Sequence, residues 1–127
     1  VNATLQCVVL DCPDDEVLAR FYHALLGGDV NRPDRRWSLG GGWSTLHLPS
    51  GFVLCFQRVA DHRPPRWPDP RHPQQSHLDL GVPDLDAAHE MAMAAGAELL
   101  DDSQRGWRVY ADPAGHPFCV VREAVAS

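Results

Sequence analysis

Apolar and polar positions alternate with period two over Leu5 to Asp11, so a predicted strand carries Cys7, Val9 and Asp11 on one face and Val8 and Leu10 on the other. Past Pro13 the period lengthens. Val17, Leu18, Phe21 and Leu25 recur at helical spacing, Asp14 stands at the cap, Asp15 and Glu16 lie where the helix dipole favours negative charge, and Gly27-Gly28 ends the element. Residues 29 to 38, with Pro33 and three arginines, read as an extended or looping segment, and Gly40-Gly41-Gly42 reads as a turn. No strand-to-helix context surrounds this glycine run, which weighs against a phosphate cradle. Strands follow near 43–48 and 52–59, the second with Val53, Cys55 and Gln57 on one side and Phe52, Leu54 and Phe56 on the other.

The pattern then runs again. His77 and Asp79 share one strand face and Leu78 and Leu80 the other. Asp84 stands before a helix whose apolar side is Leu85, Ala88, Met91, Ala92 and Ala95 and which stops at Gly96, and strands follow near 98–101, 106–111 and 117–122. Trp43, five residues, Pro49, one, Gly51, three, Cys55 matches Trp107, Pro113, Gly115 and Cys119 at the same spacing, and Leu10-Asp-Cys-Pro13-Asp14 matches Leu80-Gly-Val-Pro83-Asp84. Both hairpins turn at Pro-x-Gly, where proline presets φ and glycine permits its positive range. The chain is a doubled module: module 1 at about 4–59, module 2 at about 76–123, and between them a proline-rich connector at about 60–75 in which Trp67 favours a segment packed over the surface.

Each copy reads β-α-β-β-β. The fold class this predicts is α+β, two βαβββ modules in tandem forming a curved mixed sheet around a concave cavity with helices outside, within one 127-residue domain whose halves share a core. Val8, Leu10, Leu54, Phe56, Leu78, Leu80, Phe118 and Val120 are expected to face the helices. The opposite parity leaves Cys7, Val9, Val53, Cys55, Gln57, His77, Asp79, Cys119 and Val121 to line the hollow, and an apolar hollow with a few convergent polar groups is the usual form of a small-molecule site.

A formal net charge of −6, no lysine and no long basic stripe argue against a nucleic-acid partner. No apolar run approaches bilayer length and the first residues lack a charged start followed by an apolar run, so the expected setting is cytoplasmic, without a membrane. Four cysteines without scaffold spacing read as thiols, and none forms a Cys-x-x-Cys pair.

Arg66-Trp-Pro-Asp-Pro, Gln74-Gln-Ser-His-Leu-Asp-Leu and Asp112-Pro-Ala-Gly-His-Pro-Phe-Cys119 resemble the small glyoxalase-like proteins of the vicinal oxygen chelate superfamily, which includes glyoxalases, bleomycin-resistance proteins, fosfomycin-resistance enzymes and extradiol dioxygenases. The resemblance covers nearly all of the chain and is specific for fold rather than reaction. Metal-using members take ligands from the first and last strand of each copy, usually His or Gln, then Glu, His and Glu. Carried over, these positions are Cys7, Cys55, His77 and Cys119, and only His77 matches. With both carboxylates replaced by thiols, glyoxalase I and extradiol dioxygenase chemistry are not expected.

The resemblance implies a metal-free protein that binds or sequesters an aromatic or amphipathic metabolite or antibiotic, working as a homodimer. The ligand-facing set is Cys7, Val9, Trp37, Trp43, His47, Val53, Cys55, Gln57, Trp107 and Cys119. The alternative is a lyase or isomerase using His77 and Asp79 as an acid and base pair. Either no cofactor is bound, or zinc is held by Cys7, Cys55, His77 and Cys119 as a closed site. A cysteine nucleophile beside His77 needs a partly exposed, electropositive setting.

Overall fold

The structure, a computed structural model, describes residues 2–123. The chain forms two compact units, one ending at His62 and the other starting at Arg63, so most of the proline-rich connector belongs with the second. The first unit contains β1 (Val8–Cys12), α1 (Asp15–Leu26), β2 (Asp29–Val30), β3 (Trp43–His47) and β4 (Val53–Arg58). The second contains β5 (Leu78–Val82), α2 (Leu85–Ala95), β6 (Glu98–Asp101), β7 (Trp107–Ala111) and β8 (Pro117–Arg122). Each unit has its own four-stranded mixed sheet, ordered β1-β4-β3-β2 and β5-β8-β7-β6. The fold is thus α+β, with two βαβββ modules.

The duplication extends to the hydrogen bonds. Thr45 pairs with Cys55 and Val109 with Cys119, Val8 with Leu54 and Leu78 with Phe118, in the same registers. Gly51 and Gly115 have φ of 94° and 89°, and Gly51 N–H donates to Leu48 as Gly115 N–H donates to Asp112, both at 2.9 Å. The Pro-x-Gly turn therefore closes identically in both hairpins, because only glycine adopts that φ without strain.

Both helices start as their caps dictate. The Asp14 carboxylate accepts from the Glu16 and Val17 amides and Asp84 from Asp86 and Ala87, satisfying first-turn donors that have no partner within the helix. The inward stripe of α1 is Leu18, Ala19, Phe21 and Tyr22, whereas Val17 is exposed. The helix is rotated from the predicted stripe because Asp15, one residue past the cap, is itself drawn inside by Ser44 and Arg58. On α2, Leu85, Ala88 and Ala92 are buried and Met91 is exposed, since the narrow alanine face suffices for contact.

Three further expectations shift. The first strand begins at Val8, with Leu5 exposed. Phe52 lies outside β4 and is exposed, so it does not join Leu54 and Phe56 in the core. Of the segment over residues 29 to 38, Asp29 and Val30 form the β-ladder with β3, and Asn31, bonded to Thr45 through its own N–H and its Oδ1, turns the chain at φ 56°. The connector is ordered: Pro64, Pro65, Arg66 and Trp67 line one side of a cleft against Glu98, Leu100, Ala111 and Gly115, and turns at Arg66 and Asp69 hold its backbone. His116, just past the turn glycine, is half-buried.

Candidate functional site

Strand parity places Trp43, Thr45 and His47 on the face of β3 opposite α1, beside Gln57, Cys55 and Val53 of β4 respectively, and Val9 of β1 flanks Cys55. This brings Val9, Trp43, His47, Val53, Cys55 and Gln57, all anticipated ligand-facing residues, onto one sheet face. Cys7, just before β1, lies within hydrogen-bonding reach of Cys55. Thr45, at the centre of the row, was not singled out by the sequence, although its parity with Trp43 and His47 was available.

The loop between β2 and β3 folds onto this face. Asp34 accepts a hydrogen bond from His47 Nε2 at 3.1 Å and from the Arg36 guanidinium at 2.7 Å. The Arg36 head stands 4.4 Å from the centre of the Trp37 ring, and Trp37 meets His47 edge-on with centroids 6.1 Å apart. Hydrogen bonds from Arg36 side chain and backbone, and then from His47, hold the Asp34 carboxyl well below the usual carboxylate range. Sequence reasoning placed Trp37 here but missed Asp34 and Arg36, because the loop has no periodicity from which to project a side chain.

A carboxylate only accepts, so His47 donates its Nε2 proton to Asp34 and presents Nδ1 on the other edge of the ring. That Nδ1, the Thr45 hydroxyl and the Trp43 indole N–H are all buried and make no hydrogen bond among the described residues. Buried polar atoms without partners are uncommon, and each costs about 1–3 kcal/mol. Here three of them occupy alternate positions of one strand, so they project in one direction at intervals of roughly 7 Å.

Two of the thiols are held protonated by their surroundings. Burial, then the hydrogen bond and charge of Cys7, push Cys55 up to about 12. Burial followed by the Asp79 carboxylate pushes Cys119 up to about 11. The Arg36 charge draws Cys55 the other way, but burial and Cys7 outweigh it, and no cation acts on Cys119, so neither is activated as a thiolate nucleophile.

In the second unit His77 Nε2 lies 3.3 Å from Asp79 Oδ1, with both side chains exposed. Asp79 pairs in register with Cys119, and donor atoms of His77, Asp79 and Cys119 lie within 4.8 Å of one another. The four positions carried over as metal ligands thus divide into Cys7 with Cys55 in one unit and His77 with Cys119 in the other. Asp79, expected only as an acid or base, supplies a carboxylate to the latter pair. Nitrogen, oxygen and sulfur donors fit a borderline-soft ion such as zinc, and do not fit the oxygen and nitrogen set used for harder ions. Trp107, also on the non-helix face, is exposed at the strand end.

Among the described residues no helix is long and apolar enough to cross a membrane. No curated protein matches the chain. Among solved structures it is similar to the fosfomycin resistance protein FosX from Listeria monocytogenes, at 14% identity and TM-score 0.70 over 98% of this chain and 97% of that one. FosX from Mesorhizobium loti gives 10% identity and TM-score 0.71 over 98% and 95%. A hypothetical protein of S. aureus gives 17% identity and TM-score 0.70 over 97% and 100%. These likenesses concern the fold. The sequence pattern of the glyoxalase-like domain matches residues 7–121, and the chain belongs to that family.

Proposed function

We propose that this glyoxalase-like protein binds an aromatic or amphipathic small molecule on the β3 face of its first unit, without using a metal there. The row formed by Trp43 Nε1, Thr45 Oγ1 and His47 Nδ1 carries the reading. It offers a donor, a hydroxyl that serves either way, and an acceptor, and a ligand satisfying them recovers free energy the free protein forgoes. Cys55 and Val53 supply the apolar floor, with Trp37 and Arg36 at the edge. The loop bearing Asp34 and Trp37 covers the His47 end of the row.

Calorimetric titration against a metabolite panel, with recovery of the unchanged ligand, tests the proposal. Thr45→Val is expected to weaken binding roughly tenfold while leaving the protein at least as stable, since it removes an unpartnered hydroxyl at nearly constant volume. Equal affinity in wild type and variant would sink it.

The His77, Asp79 and Cys119 group supports a second reading, an isomerase or lyase. A mutant of Listeria FosX has been solved with Mn(II) and 1S,2S-dihydroxypropylphosphonic acid. In this chain a zinc ion held by His77, Asp79 and Cys119 would act as a Lewis acid, and without metal His77 and Asp79 are placed to pass a proton between them. Binding of Zn(II) in preference to Mn(II) by chelator competition, lost in His77→Ala, together with conversion of a substrate, would favour it. Turnover excludes pure sequestration.

A further inference from the structure

The helix side of the second sheet holds a cleft of about 310 Å³ lined by Arg105, Arg108 and Arg122 with Asp84, Leu85 and Asp86. Its meaning comes from the same place in the first unit. There Asp15 is buried, accepting the Ser44 hydroxyl at 2.5 Å and Arg58 Nε at 3.2 Å, while Arg58 also pairs with Asp14 at 3.2 Å. Strand registers make Arg108 the counterpart of Ser44 and Arg122 that of Arg58, and the capped helix starts make Leu85 the counterpart of Asp15. The second unit has therefore kept the terminal arginine, gained another in place of the serine, and lost the internal carboxylate.

The remaining groups do not replace it. Arg108 is engaged, donating to the Leu85 carbonyl at 3.3 Å and to Asp86 at 2.7 Å. The Asp84 carboxylate accepts from the Asp86 and Ala87 amides, so these two first-turn donors are already taken. The side chains of Arg105 and Arg122 make no hydrogen bond or ion pair among the described residues. Arg105 and Arg122, without side-chain partners among the described residues, thus line a cleft at the lower end of small-molecule size, and in the sister unit the arginine equivalent to Arg122 holds a carboxylate.

We propose that this cleft binds the carboxylate of a small organic acid, with Arg122 holding it as Arg58 holds Asp15 and Arg105 as the second contact. The site lies on the opposite face of the sheet from His77, Asp79 and Cys119, in a different unit from the β3 row, and stands or falls independently of both.

The test titrates the full chain with succinate and, in a separate arm, inorganic phosphate, following binding by calorimetry. Saturable succinate binding is expected, weakened roughly tenfold to a hundredfold in Arg122→Gln and in Arg105→Gln, whose exposed positions leave the fold intact. Leu85→Asp, which supplies an internal carboxylate as the first unit does, is expected to abolish binding. Undiminished affinity in both arginine variants, no saturable binding of succinate, or tighter binding of phosphate than of succinate would each overturn the assignment.

Discussion

In the first unit Tyr22 reaches the Phe56 ring from helix α1, stacked at 5.9 Å, whereas in the second Tyr110 reaches Phe118 from strand β7 at 5.6 Å. The helix position equivalent to Tyr22 is Ala92, and the strand position equivalent to Tyr110 is Leu46. One unit puts its large ring on the helix and a smaller residue on the sheet, and the other reverses them. Because interiors are close-packed, the volume between helix and sheet is nearly fixed while its source is free to move. The same exchange operates on polar groups. Thr45 and His47 of β3 correspond to Val109 and Ala111 of β7, and Cys7 and Val9 correspond to His77 and Asp79. Polar chemistry sits on the hairpin strand in one unit and at the leading strand in the other.

Transplanting residues between the units tests this correspondence. Tyr110→Leu, which inserts the first unit's residue opposite an alanine helix, should cost about 2–4 kcal/mol in urea unfolding, from the cavity and the lost 2.8 Å hydrogen bond to His89. Adding Ala92→Tyr should recover much of that loss. Additive rather than compensating effects would show that the two positions do not share one space. Asp15→Leu, the residue of the second unit, should cost about 2 kcal/mol because the buried Ser44 hydroxyl loses its acceptor. Thr45→Val runs the other way and should raise stability by about 1 kcal/mol, a sign opposite to its effect on ligand affinity.

A last effect concerns the matched thiols. Cys55 and Cys119 have native pKa values raised above the unfolded value of about 9, so between that value and about 11 to 12 the native state holds protons that the unfolded chain has released. Their contribution is fully present below about pH 9 and is lost as pH rises through that window. Urea midpoints taken under reducing conditions at about pH 8 and about pH 11 should show the decline, and Cys119→Ala should reduce it.

The doubled fold was legible because its signals are local. Asp14 and Asp84, the Pro-x-Gly turns and the period-two strands each depend on residues near in sequence, and Gly51 and Gly115 adopt the conformation their spacing implies. The site was partly legible for the same reason: alternation put Trp43, His47, Val53, Cys55 and Gln57 on one face. Asp34 and Arg36 were not, since their loop lacks periodicity and its course depends on His47 and Trp37. Val17 and Met91 were misassigned because an apolar stripe wider than the buried contact leaves the rotation of a helix to its tertiary partners.

By itself the sequence determined the doubling, the order of elements and which side chains share each strand face, because caps, turns and pleat are set within a few residues of chain. Only the tertiary structure decided that Asp15 is internal, that the Thr45 hydroxyl and His47 Nδ1 find no partner among the described residues, and that Asp79 joins His77 and Cys119. Those outcomes depend on what packs across from each residue, and a hydrogen bond is satisfied or missed by distances that no spacing along the chain encodes.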